Sequence, residues 1–313
     1  MNRLFIDKDT AIEVKNSVLH VDGAKIPIAS IDMLFLHASA HITLKDLAAI
    51  ARKGATIVAI TSRPRDFIHI QKRHFKNADL KIAQYRALDI SLDIAKYLLI
   101  KKSLAQVQTL RALRLTPHTP DLDAIRRASS IQELLGLEGT LAKEYFSRYF
   151  SIYPRILAKG ERTKHPPLDP INALLSYLYT ILYYEIGSRL VYYGFEPTIS
   201  YLHTPFRDHL SLASDLLEPL RSDTDLFVAN LYERGLILPS MFEKRAGVYL
   251  KPTARRKLWS EIKPFLEKKD PKIKREIAML REIVKNGSSS RHLRAWLSKG
   301  TTSRSQSPTR SSP

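Results

Sequence analysis

Short alternating apolar runs open the chain and long helical periodicities follow. In "RLFIDKDTAIEVKNSVLHVDG" (3–23) apolar and polar residues alternate over four- to five-residue stretches, the period of a half-buried strand, and Asp22-Gly23 is a hairpin-type turn. "IDMLFLHAS" (31–39) and "ATIVAITS" (55–62) read as further strands. Between them "TLKDLAAIARKG" (43–54) reads as a short helix closed by Gly54. From about Ala78 the period changes to 3.6. "LKIAQYRALDISLDIAKYLLIKKSLAQVQTLRAL" (80–113) predicts one or two long helices. Ser130 with Glu133 three residues later is a capping box that opens a helix to about Tyr149. Asp169-Pro170 starts another, running to Tyr193. "KPTARRKLWSEIKPFLEKK" and "PKIKREIAMLREIVKNG" predict two closing helices.

These elements define an α+β chain: a small, β-sandwich-like N-terminal domain (1–75), then a larger all-α domain (76–285). The segment 286–313 is Ser-, Thr- and Arg-rich without an acid, buries nothing, and is expected to be a disordered tail. No internal repeat is visible.

Composition sharpens the picture. The chain has 313 residues, 44% of them hydrophobic, enough for two domains with proper cores. It has no cysteine, which excludes disulfides, thiolate metal sites and thiol nucleophiles. The start, "MNRLFIDKD", turns polar too soon for a secretory signal, and "INALLSYLYTILYYEIGSRLVYY" (171–193) carries Asn172, Glu185 and Arg189, so it reads as a buried helix rather than a membrane span. A cytoplasmic protein with no membrane partner is expected. Fifty Lys and Arg against thirty-one Asp and Glu give a net charge of +19, which favours a polyanionic partner, nucleic acid above all.

Against that charge the acids stand out. On a helical wheel "SLASDLLEPLR" (211–221) places Ala213, Leu216, Leu217 and Leu220 on one face. Ser211, Asp215 and Glu218 fall on the other, within about 60° of each other. A solvated polar face is one reading. Yet two like charges one turn apart cost on the order of 1–3 kcal/mol when partly buried, and a divalent cation would relieve them. Pro219 predicts a kink at Glu218. His203 lies just upstream, where a loop could bring its ring over the same face. Glu138 sits in the apolar stripe of Ile131, Leu134, Leu135, Ala142, Tyr145 and Tyr149. A carboxylate there needs either a buried Lys or Arg partner or a metal. Glu138, His203 and Glu218, with Asp215 close by and Ser211 beside them, form a ligand set for Mg²⁺ or Mn²⁺, suited to phosphodiester chemistry.

Three ordered blocks, "LLGLEGTLAKEYFSRYF", "DPINALLSYLYTILY" and "GFEPTISYLHTPFRDHLSLASDLLEPLR", resemble the signature blocks of the CRISPR-associated integrase-endonucleases of spacer acquisition. The strand–helix–strand segment of residues 26–63, the first long helix and "FEKRAGVYLKPTARRKLWSEIKPFL" are similar too, so the likeness covers most of residues 1 to about 285. The resemblance implies that Glu138, His203 and Glu218 hold the metal, that Asp215 holds metal or DNA through water, and that Asn172 supports the ligands. It also implies a homodimer pairing through the β-domain, a small second subunit, and attack of a DNA 3′-hydroxyl on a phosphodiester of the repeat. Double-stranded and branched DNA are then the substrates. Lys143, Ser214, Leu220 and Ser222 depart from the family pattern without touching a proposed ligand. A casposon-type transposase with the same chemistry, and a non-catalytic nucleic-acid scaffold whose acids only form salt bridges, remain as alternatives.

Basic segments suggest where DNA would lie. "YPRILAKGERTKHP" carries Arg155, Lys159, Arg162, Lys164 and His165; Arg245, Arg255, Arg256 and Lys257 form a second cluster. "PRDFIHIQKRHFK" (64–76) either touches DNA or joins the domains. His37 and His41 have a metal-like spacing but sit in a strand and turn. Tyr177, Tyr179 and Tyr183 read as core rather than base-stacking residues.

Overall fold

The computed structural model describes residues 3–6, 10–37, 39–60, 67–70, 77–205 and 209–298. "PRDFIHIQKRHFK" lies mostly outside them. The chain divides into two compact units: residues 1–77 with 192–194 and 261–271, and residues 78–191, 195–260 and 272–313.

The first unit holds β1 (Arg3–Ile6), β2 (Ala11–Lys15), β3 (Val18–Val21), β4 (Ala24–Pro27), β5 (Met33–His37), β6 (His41–Ile42), α1 (Leu44–Arg52), β7 (Thr56–Ile60) and β8 (Phe67–Ile70). They form two four-stranded sheets, ordered β1-β5-β7-β8 and β4-β3-β2-β6. The meander β2–β3–β4 turns at Asn16-Ser17 and at Asp22-Gly23, and all four turn residues have positive φ (51, 63, 47 and 77). Of the four, glycine alone takes that conformation without strain. The expected turn at Asp22-Gly23 is thus present, and Asn16-Ser17 is a second one. The other sheet is mixed: β1, β5 and β7 are parallel, with β8 antiparallel at the edge. Parallel strands need a crossover, and α1 supplies it between β5 and β7. Thr43 caps α1, its Oγ1 accepting the Asp46 N–H at 3.1 Å. Ile12, Leu19 and Val21 from one sheet join Leu34, Leu36 and Ile57 from the other, with Ile50 of α1, in one apolar cluster. Met33 and Phe35, on the opposite face of β5, are buried as well, as befits a central parallel strand.

The second unit holds α2 (Ala78–Arg86), α3 (Ser91–Ala112), α4 (Leu122–Arg127), α5 (Ile131–Tyr149), α6 (Pro170–Tyr192), α7 (Ser211–Glu233), β9 (Phe242–Lys244), β10 (Val248–Leu250), α8 (Pro252–Asn286) and α9 (Arg291–Leu297), the last residue of α6 and part of α8 belonging to the first unit. It is therefore largely but not wholly helical: β9 and β10 make an antiparallel hairpin too short for a period-2 signal. α3 is the central helix, packed along α7, α5 and α9. α6 is buried on nearly every side, which explains its unbroken apolar run. Its Glu185 and Arg189 pair internally at 2.6 Å. No helix among the described residues is long and apolar enough to cross a membrane.

Three expectations change. The two closing helices are one, α8, continuous through Pro264 and Pro271. Order also extends past Asn286. Gly287 (φ 56) ends α8, and Ser290 caps α9, whose Leu293 is buried and whose Trp296 meets Tyr97 edge-on at 6.0 Å. Leu293 and Trp296, three apart, give a polar-looking segment one apolar face. Ser130 does cap α5, but Glu133 reaches back to the N–H and hydroxyl of Ser129, at 2.8 and 3.1 Å, rather than to Ser130.

Candidate active site

Two helices and one loop bring the proposed ligands together. α7 carries Asp215, Glu218 and Arg221; it runs on through Pro219, and both of its faces are buried, so the polar face of the wheel is an interior one. α5 carries Glu138, whose side chain is 27% exposed at the edge of its stripe, beside an exposed Leu135. The loop before α7 carries His203, one-third exposed.

His203 is fixed by Asp215. One carboxylate oxygen accepts the His203 backbone N–H at 3.0 Å and meets the ring Nδ1 at 2.7 Å; the other accepts the N–H groups of Tyr201 and Leu202 at 2.7 and 3.1 Å. Because an ionised carboxylate only accepts, Nδ1 carries a proton, so that the neutral form of the ring has its lone pair on Nε2. Nε2 faces Glu218 Oε1 at 3.8 Å. Asp215, fully buried and with both oxygens engaged, holds the His203 ring and the backbone of its loop in place.

Glu218 is nearly buried. Its Oε1 accepts from Arg221 Nε at 2.9 Å; its Oε2 lies 2.5 Å from the ammonium of Lys102 on α3 but has no hydrogen-bond donor in good geometry. The same ammonium bonds Glu138 Oε1. Burial opposes ionisation of Glu218, and Arg221, Lys102 and His203 override it, holding its carboxyl well below the usual carboxylate range. Burial likewise opposes the Lys102 charge, and Glu218 and Glu138 raise its pKa in spite of it. Of the two readings of Glu138 left open by the sequence, the structure displays the lysine partner. Among the described residues no group of three acids or histidines is close enough to hold a metal as it stands.

Even so, the donors fit a hard divalent ion. Two carboxylates from separate helices already converge on one cation, and an imidazole nitrogen faces the Glu218 carboxylate at 3.8 Å.

Behind the acids stands a buried aromatic network. The Arg221 guanidinium lies over the Tyr179 ring, 4.7 Å from its centre. Tyr179 donates to Asp225 Oδ1, Tyr145 to Asp225 Oδ2 at 2.8 Å, and Tyr149 to the Asp225 carbonyl at 2.9 Å. Burial pushes the Asp225 carboxyl up to about 6, against the opposing pull of these hydroxyls and of Arg162 and Arg221. Tyr179 is therefore core, as expected, but core with a polar duty.

Other candidates lie where they serve differently. Asn172 is buried and touches no proposed ligand: its amide donates to the Glu161 carbonyl and to Asp169, and its oxygen accepts from Arg162 and the Thr163 N–H. It shapes the 159–169 loop. The Ser211 hydroxyl donates to the His209 carbonyl at 3.3 Å. Arg162, expected on DNA, turns inward to Asn172, to Ser176 at 3.0 Å and to the Tyr179 ring at 5.5 Å. Arg155, Lys159 and Lys164 are exposed. Partial burial and the nearby Arg221 draw the Lys164 pKa down. Arg245, Arg255, Arg256 and Lys257 are exposed as well, Arg245 beside Glu243 at 2.9 Å and Arg255 over Tyr177 at 5.4 Å. The two basic segments meet. A Cβ on Gly247 would lie 2.5 Å from Pro166 Cβ and 2.9 Å from the Pro167 carbonyl, which itself accepts the Val248 N–H at 2.8 Å. His37 Nδ1 bonds Ser39 Oγ at 2.8 Å and His41 is exposed, an arrangement of strand and turn.

Lys102 and Arg221 escaped sequence reasoning. Their one signal is charge inside otherwise buried helical stretches.

A sheet-bearing unit followed by a helical unit is also the fold of proteins of known structure. A CAS1 protein from Thermotoga maritima superposes with a TM-score of 0.82 at 19% identity, covering 92% of this chain and 98% of that one. A casposase bound to its integration product gives 0.78 at 23%, covering 96% and 92%. Among curated proteins, "CRISPR-associated endonuclease Cas1 1" of Thermodesulfovibrio yellowstonii is 31% identical over 284 residues, 83% of this chain and 89% of that protein. "CRISPR-associated endonuclease Cas1 2" of Rhodospirillum rubrum is 30% identical over 300 residues, covering 82% and 86%. The profile described as CRISPR associated protein Cas1 matches residues 4–263, and the chain belongs to that family.

Proposed function

We propose that this protein is a metal-dependent DNA endonuclease and integrase of CRISPR adaptation, inserting spacer DNA through attack of a 3′-hydroxyl on a phosphodiester of the repeat. The meeting of Glu138 and Glu218 at one ammonium, with His203 Nε2 facing Glu218, carries this reading. Mg²⁺ or Mn²⁺ held there would polarise the scissile phosphate and stabilise the charge on its oxygens and on the leaving oxygen. Glu138 and Glu218 would supply hard oxygen ligands and His203 its Nε2 lone pair. Asp215 keeps that ring in the right tautomer, and Arg221 fixes the rotamer of Glu218. Arg155, Lys159, Lys164, Arg245, Arg255 and Arg256 would hold the duplex by its phosphates, with salt-sensitive affinity and little base readout.

The same reading takes the first unit as a sandwich-like domain through which two copies pair, and a small second subunit as the partner in a cytoplasmic complex. A neighbour of known structure is a Cas6-RT-Cas1–Cas2 complex, which supports a second subunit, and relatives carry the name endonuclease, which supports the nuclease activity. The casposase likeness leaves the chemistry unchanged and alters only the ends that are joined.

One observation favours a second reading. Lys102 satisfies Glu138 and Glu218 as a scaffold's salt bridge would. Strand transfer on a branched DNA, with EDTA, Mg²⁺ or Mn²⁺, separates the two. Metal-dependent joining by the wild type, lost in Glu138→Ala and His203→Ala, is the expected result. Intact DNA binding in all three without turnover under any metal would make the protein a scaffold.

A further inference from the structure

We propose that Lys102 is a built-in counter-cation of the acidic centre, holding Glu138 and Glu218 together in the metal-free protein and giving way when a divalent ion binds. The inference rests on the metal reading above and adds a competitor within the chain.

The geometry is that of a cation site filled from inside. Glu138 comes from α5, Glu218 from α7, and the single ammonium between them from α3. Two carboxylates brought this close would repel each other strongly out of water. The Lys102 side chain is only 8% exposed and that of Glu218 6%, so solvent does little of the screening. Arg221 sits on the other oxygen of Glu218, so each oxygen of that carboxylate faces a different cation. No second lysine is at hand on α3: the neighbouring Lys101 is committed to Glu276.

With Lys102 in place the charges of Glu138, Glu218, Lys102 and Arg221 cancel. A divalent ion added to that balanced set gains little; an ion that displaces the ammonium gains both carboxylates. Lysine suits such a part, because its charge is a point on a flexible four-carbon stem, where the forked guanidinium of arginine would lock in place. A route for exchange exists. Glu138 and His203 are the exposed edge of the cluster, at 27% and 33%, while Glu218 and Asp215 close its floor. The protein would then remain folded and charge-balanced without metal, and its metal affinity would be set below what its ligands alone could reach.

The test is Mn²⁺ binding, followed by loss of the free-ion EPR signal, together with the Mn²⁺-induced rise in Tm. Wild type, Lys102→Met, Lys102→Arg and His203→Ala are compared as full-length protein. Lys102→Met should bind Mn²⁺ about tenfold more tightly or better, since a unit positive charge within a few ångström of the ion is gone. It should also show a larger Mn²⁺-induced rise in Tm than wild type, whereas Lys102→Arg should not gain affinity. Lys102→Met that folds only with Mn²⁺ present is the same result in extreme form. Equal or weaker binding by Lys102→Met, or a failure to fold that no Mn²⁺ concentration repairs, overturns the proposal. Wild type that does not bind Mn²⁺, or binds it no better than His203→Ala, overturns instead the metal reading on which the proposal rests.

Discussion

A single oxygen of Asp215 meets both the backbone N–H and the ring Nδ1 of His203, at 3.0 and 2.7 Å. The other oxygen collects the two preceding N–H groups. The carboxylate thus builds the loop and chooses the imidazole tautomer together. Asp215→Ala should lower Mn²⁺ affinity by roughly 10–100-fold, the usual effect of losing a residue that orients a ligand. It should also cost on the order of 3 kcal/mol of stability, from donors left inside without partners. Metal titration and urea unfolding check both. Total loss of binding, matching Glu218→Ala, would mean that Asp215 ligates directly.

Glu138 and Glu218 should separate in stability while agreeing in activity. Glu218→Ala leaves Lys102 and Arg221 short of their shared buried partner and should cost roughly 3–5 kcal/mol. Glu138→Ala removes a partly exposed acid, and Lys102 keeps Glu218, so roughly 1 kcal/mol or less is expected. Both should lower strand transfer by about 1,000-fold or more. Tm and joining assays on the same preparations decide; a Glu138→Ala variant as unstable as Glu218→Ala would contradict the burial argument.

Asp225 should leave a mark on stability against pH. Its carboxyl is pushed up to about 6 from 3.8 by burial, so between these values the unfolded chain gives up its proton first. A group with a raised folded pKa favours the folded state below the unfolded value, and that contribution is lost as pH climbs to the folded one. Wild type should therefore lose on the order of 2–3 kcal/mol from this group between about pH 4 and 6. Asp225→Asn, which cannot ionise, should lack that slope. Tm measured across this range for the two proteins tests it, and parallel curves would refute the shift.

The sequence was readable where one local pattern decides the outcome. Asp22-Gly23, the Ser130 cap and the buried run of α6 need only neighbours within a turn or two. The acids of α7 were readable for a similar reason: one turn of helix aligns Asp215 with Glu218. Long-range partners were not. Lys101-Lys102 carries no local mark of its partners, and only the packing of α3 against α5, α7 and α8 shows that both ammonium groups are spent on glutamates. In the same way nothing local tells Asp215, saturated by its own loop, from Glu218, open to a cation. The hairpin β9–β10 is three residues per strand, below the length at which alternation is visible.

The basic loop sets a last comparison. Arg155 and Lys159 project into solvent, while Arg162, three residues beyond Lys159, is held by Asn172, Ser176 and the Tyr179 ring. If phosphates lie along this loop, Arg155→Ala with Lys159→Ala should weaken duplex binding, and the slope of log K against log salt should shrink by about 0.9 for each phosphate no longer neutralised. Arg162→Ala should leave that slope unchanged and lower the melting temperature instead, because its loss takes one of two donors from the buried Asn172 oxygen and uncovers one side of Tyr179. Binding isotherms at several salt concentrations, paired with thermal unfolding, distinguish the two roles. A reduced salt slope in Arg162→Ala would show that the guanidinium leaves its internal partners when DNA arrives.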